Sequence, residues 1–389
     1  MPTLNAKQLK AGLALVSKAV ATKITLPILG SVKIAAQSAG VSLAATNLEL
    51  TIETLVPYSG LFLEGDPWAT AVPAQTFSQL VAASESEQIG LEFTLEGETL
   101  TFKAGKSKAA IKGIPAEEFP PFPVTQVEMG TMSAAVLKRA IRRVVVAASK
   151  DQSRPSLQSV QLFKNGHVRL TSADGFRLAS QRLDNVELNF PGKASLLIPS
   201  IAASKLADIL PDDETLVTLR ANAQESTLQF AWEGVIAWVS LLDFNFPDWQ
   251  TIVPQSFKDE VLLPTSESLS AIRRAEIFAR EANHVVTFLP SEDGLVVIGR
   301  DAKNETGKSE TVLNVTPPGD KVSMNVVFAR QAIESVGGAE VKMCVNAKNA
   351  PVLFVGPEDD YLHLLMPMVT DEDIDAAAVV AASSQSPEA

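Results

Sequence analysis

VPAQTFSQLVAAS (72–84), IPSIAASKLADIL (198–210) and MNVVFARQAIESV (324–336) are three versions of one segment. Pro73, Pro199 and Asn325 open them, and successive copies stand 126 residues apart. The strand-like stretches keep step: Val41, Val168 and Leu295 are spaced by 127 residues, as are Asn47, Asp174 and Asp301. A period of this kind means one domain written three times. Around each segment the layout is an amphipathic helix, short strands, a second helix, more strands and a proline-marked exit. No reactive side chains gather anywhere, so the repeat describes a scaffold that surrounds or tracks something, not a catalyst.

A chain of 389 residues exceeds what one core organises, in agreement with three domains. With 46% hydrophobic and 20% charged residues it is too apolar to be disordered. Lysines flank the apolar stretch of MPTLNAKQLKAGLALVSKAV (1–20) and no cleavage site follows it, so it does not read as a signal peptide. No apolar run approaches the ~18 residues of a membrane span. Cys344 is the single cysteine, which excludes an internal disulfide and fits a reducing compartment. The reading is a cytoplasmic protein.

The net charge of −12 argues against a nucleic-acid partner until charge is followed helix by helix. Over 5–21, Leu9, Leu13, Val16 and Val20 make one apolar stripe, while Lys7, Lys10 and Lys18 fall opposite it without an acid. Its counterpart over 131–149 places Leu137, Ile141, Val144 and Ala148 inward. Lys138, Arg139, Arg142 and Arg143 occupy the remaining arc, again without acid. The third, over 264–281, has Leu269, Ile272 and Ala279 as its stripe, but Arg273, Arg274 and Arg280 mix with Glu267, Glu276 and Glu281. Basic faces recurring at equivalent positions of an acidic protein concentrate positive potential where phosphate could be met.

Between the helices, VSLAAT (41–46), LEFTLEGETLTFKA (91–104), SLQSVQLF (156–163) and HVRLTSA (167–173) alternate around the turns Glu96-Gly97-Glu98 and Lys164-Asn165-Gly166, as antiparallel hairpins do. The fold class is α+β, three repeats of an antiparallel sheet with two helices laid on it. PAEEFPPFPVTQVEMG (115–130) and FNFPDWQTIVPQSFKDE (244–260) read as connections. The domains are 1–128, 129–254 and 255–370, followed by a tail, 371–389, that opens on Asp371, Glu372, Asp373 and Asp375 and reads as mobile.

Other chemistry finds little support. His167, His284 and His363 are scattered, and one cysteine makes no thiolate cluster, so no metal is expected. The carboxylate pairs Glu117-Glu118, Asp212-Asp213 and Asp359-Asp360 sit in turns, where acids are solvated turn formers. There is no phosphate-binding glycine loop, and no cofactor is expected. Aromatics, 6% of the chain, do not interleave with the basic positions, which leaves phosphate contact without base stacking. A magnesium nuclease and a protein-only scaffold are the rival readings. The first needs converging acids that the spacing does not suggest, and the second predicts no difference between linear and circular DNA.

TLPILG (25–30), VSLAATNLEL (41–50), PAEEFP (115–120), RPSLQSV (154–160), ADGFRLA (173–179), FPDWQTIVP (246–254) and LLMPM (364–368) occur in order along residues 1–369. Together they resemble the bacterial sliding clamp, the beta subunit of DNA polymerase III. The resemblance implies a head-to-tail homodimer closed into a ring around duplex DNA, opened by an ATP-dependent loader. Helices would line the pore, with Lys23 and Arg154 also facing DNA. It implies a cleft for short linear peptides of the replicative polymerase and repair proteins at Leu157, Gly175, Phe176, Arg177, Leu178, Pro247, Ile252, Leu364, Met366, Pro367 and Met368. The subunit contact maps to Lys106, Lys108, Ala109 and Ile111 against Ile277 and Phe278, with Phe278 as the anchor. Three positions depart from the family's habit: Ala109 replaces a large aromatic, Phe176 stands where His is frequent, and Val369-Thr370 follow the methionines in place of Arg-Leu.

Overall fold

The computed structural model describes residues 3–59, 68–94, 98–190, 192–280, 284–301, 307–347, 349–356 and 361–369. The acidic tail, the turn at Glu96-Gly97, Glu281 and the pair Asp359-Asp360 lie outside the described residues.

The first repeat runs β1 (Thr3–Asn5), α1 (Ala6–Val16), β2 (Ser31–Ala36), β3 (Gly40–Thr46) and β4 (Leu50–Pro57). It continues with β5 (Ala69–Pro73), α2 (Ala74–Ala83), β6 (Gln88–Thr94), β7 (Thr99–Ala104), β8 (Ser107–Lys112) and a short β9 (Ile114–Pro115). The second has β10 (Val127–Ser133), α3 (Ala134–Val145), β11 (Ser159–Asn165), β12 (His167–Ala173) and β13 (Arg177–Leu183). Then come β14 (Ser195–Pro199), α4 (Ser200–Ile209), β15 (Leu216–Ala221), β16 (Thr227–Trp232) and β17 (Val235–Ser240). The third opens with β18 (Asp259–Pro264), α5 (Thr265–Ala279), β19 (Val285–Ser291), β20 (Gly294–Arg300) and β21 (Lys308–Leu313). It closes with β22 (Val322–Asn325), α6 (Val326–Val336), β23 (Glu340–Val345), β24 (Val352–Val355) and β25 (Tyr361–Leu365). One strand, one helix and three strands therefore recur six times, so each repeat is itself a doubled unit.

The helix entrances show why Pro and Asn interchange at the repeated position. Pro73, Pro199, Pro264, Asn5 and Asn325 all hold φ between −50° and −68° with ψ between 116° and 131°. Proline has that φ built into its ring. Asparagine reaches it by capping: Asn5 Oδ1 accepts from the Lys7 and Gln8 amides, and Asn325 Oδ1 from those of Val327 and Phe328. The spaced Asn47 and Asp174 are likewise turn formers, since Asn47 Oδ1 accepts from Leu50 N and Asp174 Oδ1 from Arg177 N.

The chain divides into two compact units, residues 1–141, 162–168 and 185–244, and residues 142–161, 169–184 and 245–389, so the middle repeat is shared between them. In the first unit a four-stranded sheet has the order β1-β6-β7-β8, and a nine-stranded sheet the order β10-β15-β16-β17-β4-β3-β2-β5-β9. Strand β17 pairs with β4 from Val235↔Thr54 to Val239↔Leu50, so the sheet runs unbroken from the first repeat into the second. In the second unit the order is β13-β25-β24-β23-β18 beside a separate β21-β20-β19-β22 sheet. Here β13 pairs with β25, joining the second repeat to the third. The pairs named here are all antiparallel, as expected. The expected single sheet per repeat is corrected to two, because the halves exchange their first strands: β1 pairs with β6 and β5 with β2, as β18 pairs with β23 and β22 with β19.

The cores are aliphatic. Leu9, Leu13 and Val16 of α1 are buried and α1 packs on β3 and β4, with Gly12 letting the helix approach Val56 and Leu43. The α-helix stops at Val16 and tightens into a 3-10 turn over Ser17–Ala19, so Ala19 is buried where Val20 was expected. Likewise α5 buries Ser268, Ala271, Ile272, Ala275 and Ala279, and Leu269 is only half-buried. It lies tight on β20, where a Cβ at Gly299 would run into the Ala275 carbonyl. The segment expected as a strand from 156 begins with a 3-10 turn, Pro155–Leu157.

Candidate functional site

The basic faces survive in part. Lys7 and Lys10 of α1 and Arg139 and Arg142 of α3 are exposed, each pair three residues apart and hence on one face of its helix. Lys10 Nζ reaches the Ser84 carbonyl at 3.2 Å, and Lys23 is exposed on a bend. Lys18 lies beyond the α-helix and pairs with Asp208 at 3.0 Å. Beside it on α4 is Lys205, which the sequence reading passed over. Partial burial draws its pKa down, the nearby Glu49 opposes that, and Lys18 adds to it.

Two cations of α3 do not lie where periodicity put them. Lys138 is buried, its Nζ donating to the Leu210 carbonyl at 2.8 Å and pairing with Asp212 at 2.7 Å. Leu210 caps the C-terminal end of α4, so this ammonium neutralises the negative end of a helix and is not offered to a ligand. Arg143 is half-buried, donating from Nη1 to Gln181 Oε1 at 2.9 Å and from Nη2 to the Val336 carbonyl at 3.0 Å. In the third repeat, Arg273 pairs with Glu334 at 3.2 Å and Arg274 donates to Ser270 Oγ at 2.7 Å and to Thr311 Oγ1. Glu334 also accepts from Arg330, which pairs with Glu276, so these charges brace α5 against α6.

The groove candidates all belong to the second unit. Gly175, Phe176, Pro247, Ile252 and Met366 are exposed, Pro367 and Met368 are half-buried, and Leu157, Leu178 and Leu364 are buried beneath. The structure joins Phe176 directly to Met366, whose amide donates to the Phe176 carbonyl at 2.8 Å, and pairs Leu178 with Leu364. Phe176 leaves 65% of its surface in solvent, yet a turn holds it: Asp174 Oδ1 accepts from its amide at 2.9 Å. Gly175 at φ 92° completes that turn. Ile252 ends a 3-10 turn, Gln250–Ile252, that follows Pro247 and the buried Trp249.

Arg177 was expected to line the groove, but its guanidinium is buried. It donates from Nε to Asp174 Oδ2 at 3.0 Å, from Nη1 to Gln331 Oε1 and from Nη2 to the Val146 carbonyl, and sits 4.0 Å from the Phe328 ring centroid. Burial lowers its pKa and the Asp174 carboxylate counteracts that. Arg154 moves the other way. Expected at a DNA-facing loop, it lies over Gly175, where an added Cβ would sit 3.0 Å from its Nη1. Nothing in the spacing of 154 and 175 signals that approach, which the β12–β13 turn creates.

Under the strand pair, Tyr361 donates to the Arg143 carbonyl at 3.0 Å and lies 2.8 Å from His363 Nδ1. Both side chains are buried; burial pushes the tyrosine up and the imidazole down to about 3, with the Arg177 charge adding to the latter. His363 Nε2 has no hydrogen-bond partner among the described residues. His167 and His284 are exposed elsewhere, and no group of three or more metal-ligating side chains occurs among the described residues.

The subunit-contact candidates divide between the edge strand β8 and the helix α5. Lys106 and Lys108 are exposed, Ala109 is half-buried and Ile111 is buried on or beside β8, the outermost strand of its sheet. Next to it opens a hollow of about 660 Å³ lined by Leu80, Ala83, Ser84, Phe102 and Ala109. On α5, Ile277 is 65% exposed whereas Phe278 is half-buried with its ring over Gly307, so Ile277 and not Phe278 is the outward apolar side chain.

Three family models match the chain: DNA polymerase III beta subunit, N-terminal domain over residues 3–123, central domain over 131–248 and C-terminal domain over 250–369. The chain is similar to the beta sliding clamp of Bacillus subtilis (strain 168), 28% identical over 372 residues that cover 91% of this chain and 96% of that one. It is also similar to that of Halalkalibacterium halodurans, 27% identical over 90% of this chain and 88% of that one. Among solved structures, the DNA polymerase sliding clamp from Bacillus subtilis superposes with a TM-score of 0.84 at 27% identity, covering 95% of this chain and 98% of that one. The DNA polymerase III subunit beta from Pseudomonas aeruginosa gives 0.86 at 22% identity, covering 95% and 99%, a likeness of fold.

Proposed function

Because this chain belongs to the DNA polymerase III beta subunit family and is a sliding clamp, a processivity factor and not an enzyme, we propose that it acts as a closed ring of two copies around duplex DNA. The exposed cations on α1 and α3 of an acidic chain carry this reading. A ring needs no tight grip: loose phosphate contacts permit sliding, while enclosure prevents loss, so affinity and residence are uncoupled. Lys7, Lys10, Lys23, Arg139 and Arg142 face the phosphates.

The two copies join head to tail through β8 of one and the β21 side of the other. Both are edge strands whose free backbone groups are a template for pairing. The exposed Ile277 fills the hollow beside Ala109. The domains are those read from the sequence, 1–128, 129–254 and 255–370, and the compartment is the cytoplasm. No described helix is long and apolar enough to cross a membrane.

The groove around Phe176, Ile252 and Met366 takes short linear peptides of the replicative polymerase, the loader and repair proteins. Thioethers there repack around different ligands, and the Phe at 176 makes it more apolar. Retention on nicked circular DNA tests the ring: complexes stay through gel filtration on circles and are lost after the circle is cut. Equal retention on both would sink it.

A further inference from the structure

Residues directly opposite in an antiparallel pair share a face, so Arg177, Ala179 and Gln181 of β13 lie on one side with Leu365, His363 and Tyr361 of β25. Leu178 and Leu364 lie on the other. The two strands run straight into Phe176 and Met366, the exposed pair of the groove. On the polar side, three elements converge on Arg143. Its guanidinium bridges Gln181 of β13 and the Val336 carbonyl at the end of α6, and lies 5.3 Å from the Tyr361 ring centroid. Its own carbonyl accepts from Tyr361 Oη, on β25.

We propose that Arg143 is a positioning residue of the peptide groove: it braces β13 and β25 against the ends of α3 and α6, and so fixes the separation of Phe176 and Met366. This rests on reading the groove as the peptide site. The planar fork suits the task, because it gives two directed hydrogen bonds to separate elements while its charge lies over the Tyr361 ring, a combination a lysine does not reproduce. Arg177, four residues from Gln181 on the same face of β13, repeats the arrangement, tying the Asp174 turn to Gln331 of α6 and the Val146 carbonyl. A groove held in its binding shape loses less ordering entropy on association, so loosening the brace weakens partners without removing any contact to them. Arg142, the neighbouring residue, is exposed and serves the DNA face.

The test compares Arg143→Ala, Arg143→Lys, Tyr361→Phe and Met366→Ala for affinity to the replicative polymerase of the same cell, measured well below each variant's Tm. Alongside it runs the salt dependence of retention on nicked circles. Arg143→Ala weakens polymerase binding roughly ten-fold and Tyr361→Phe, which keeps the ring under the guanidinium, about three-fold. Arg143→Lys stays near Arg143→Ala, and if the alanine variant does not fold, the lysine and phenylalanine variants carry the comparison. The loss is confined to polymerase binding. Three outcomes overturn the proposal. If Met366→Ala weakens the polymerase and the Arg143 and Tyr361 variants do not, Arg143 is merely structural. If Arg143→Ala lowers the slope of log K against log salt by about 0.9, Arg143 is a phosphate contact. If none of the variants, Met366→Ala included, changes polymerase affinity, the groove reading itself fails.

Discussion

Replacing Lys138 separates a structural lysine from a DNA-binding one. Its side chain is 8% exposed, while that of its partner Asp212 is 80% exposed, so the aspartate returns to water at little cost. The Leu210 carbonyl is different: it loses a charged donor, and a buried acceptor left unmade costs about 1–3 kcal/mol. Losing the cation at the end of α4 adds about 0.5 kcal/mol or more. Lys138→Met keeps the aliphatic stem and should cost about 2 kcal/mol. Lys138→Ala also strips buried methylenes at about 0.8 kcal/mol each, bringing its cost to about 4 kcal/mol. For a cooperative unit of ~200 residues each kcal/mol lowers Tm by roughly 2–4 °C, so calorimetry resolves the two variants from each other and from wild type. Retention on circular DNA measured across a salt series should keep its slope in the methionine variant. An unchanged Tm together with a shallower slope would refute the buried assignment and return Lys138 to the phosphate face.

Charge reversal of Lys7, Lys10, Arg139 and Arg142 together should abolish retention on circles while sedimentation still reports a dimer. Ile277→Asp should shift sedimentation toward monomer by at least ten-fold in dissociation constant, whereas Phe278→Leu should do less, since that ring is already half-covered. The His363 imidazole, held down to about 3 against an unfolded value of 6.5, binds its proton in the unfolded chain first. Its contribution is therefore complete above about pH 6.5 and is lost as pH falls toward 3, with a slope of up to ~1.4 kcal/mol per pH unit that urea titrations of a His363→Phe variant should lack. Gly299→Ala should cost about 3 kcal/mol, seen as a fall in the urea midpoint, because backbone and not a yielding side chain occupies the space.

The threefold period was legible because Pro and Asn satisfy one backbone demand by different means, and both leave a visible mark. The twofold repeat inside each domain was not, since its halves share dihedral angles at the helix entrances but few letters. Periodicity placed Leu9, Leu13 and Val16 correctly and failed at Lys138. The wheel assigns a long side chain by the direction of its Cβ, whereas this one curls to reach the carbonyl at the end of another helix. Arg143 and Arg177 failed for a related reason: guanidinium groups were assigned to solvent or ligand, and besides side chains from distant elements each uses a main-chain carbonyl, which no sequence displays. The groove's exposed side chains came from the motif resemblance, while the approach of Arg154 to Gly175 is tertiary and had no local signal.

The ladders from β17 to β4 and from β13 to β25 each run five residues, so both covalent junctions are stitched by main-chain hydrogen bonds. Such seams resist hinging. If two copies close a ring as proposed, the joint between one copy's border strand and the other's is its weakest seam, and the place where it opens is set by how the strands are laid, without any dedicated latch.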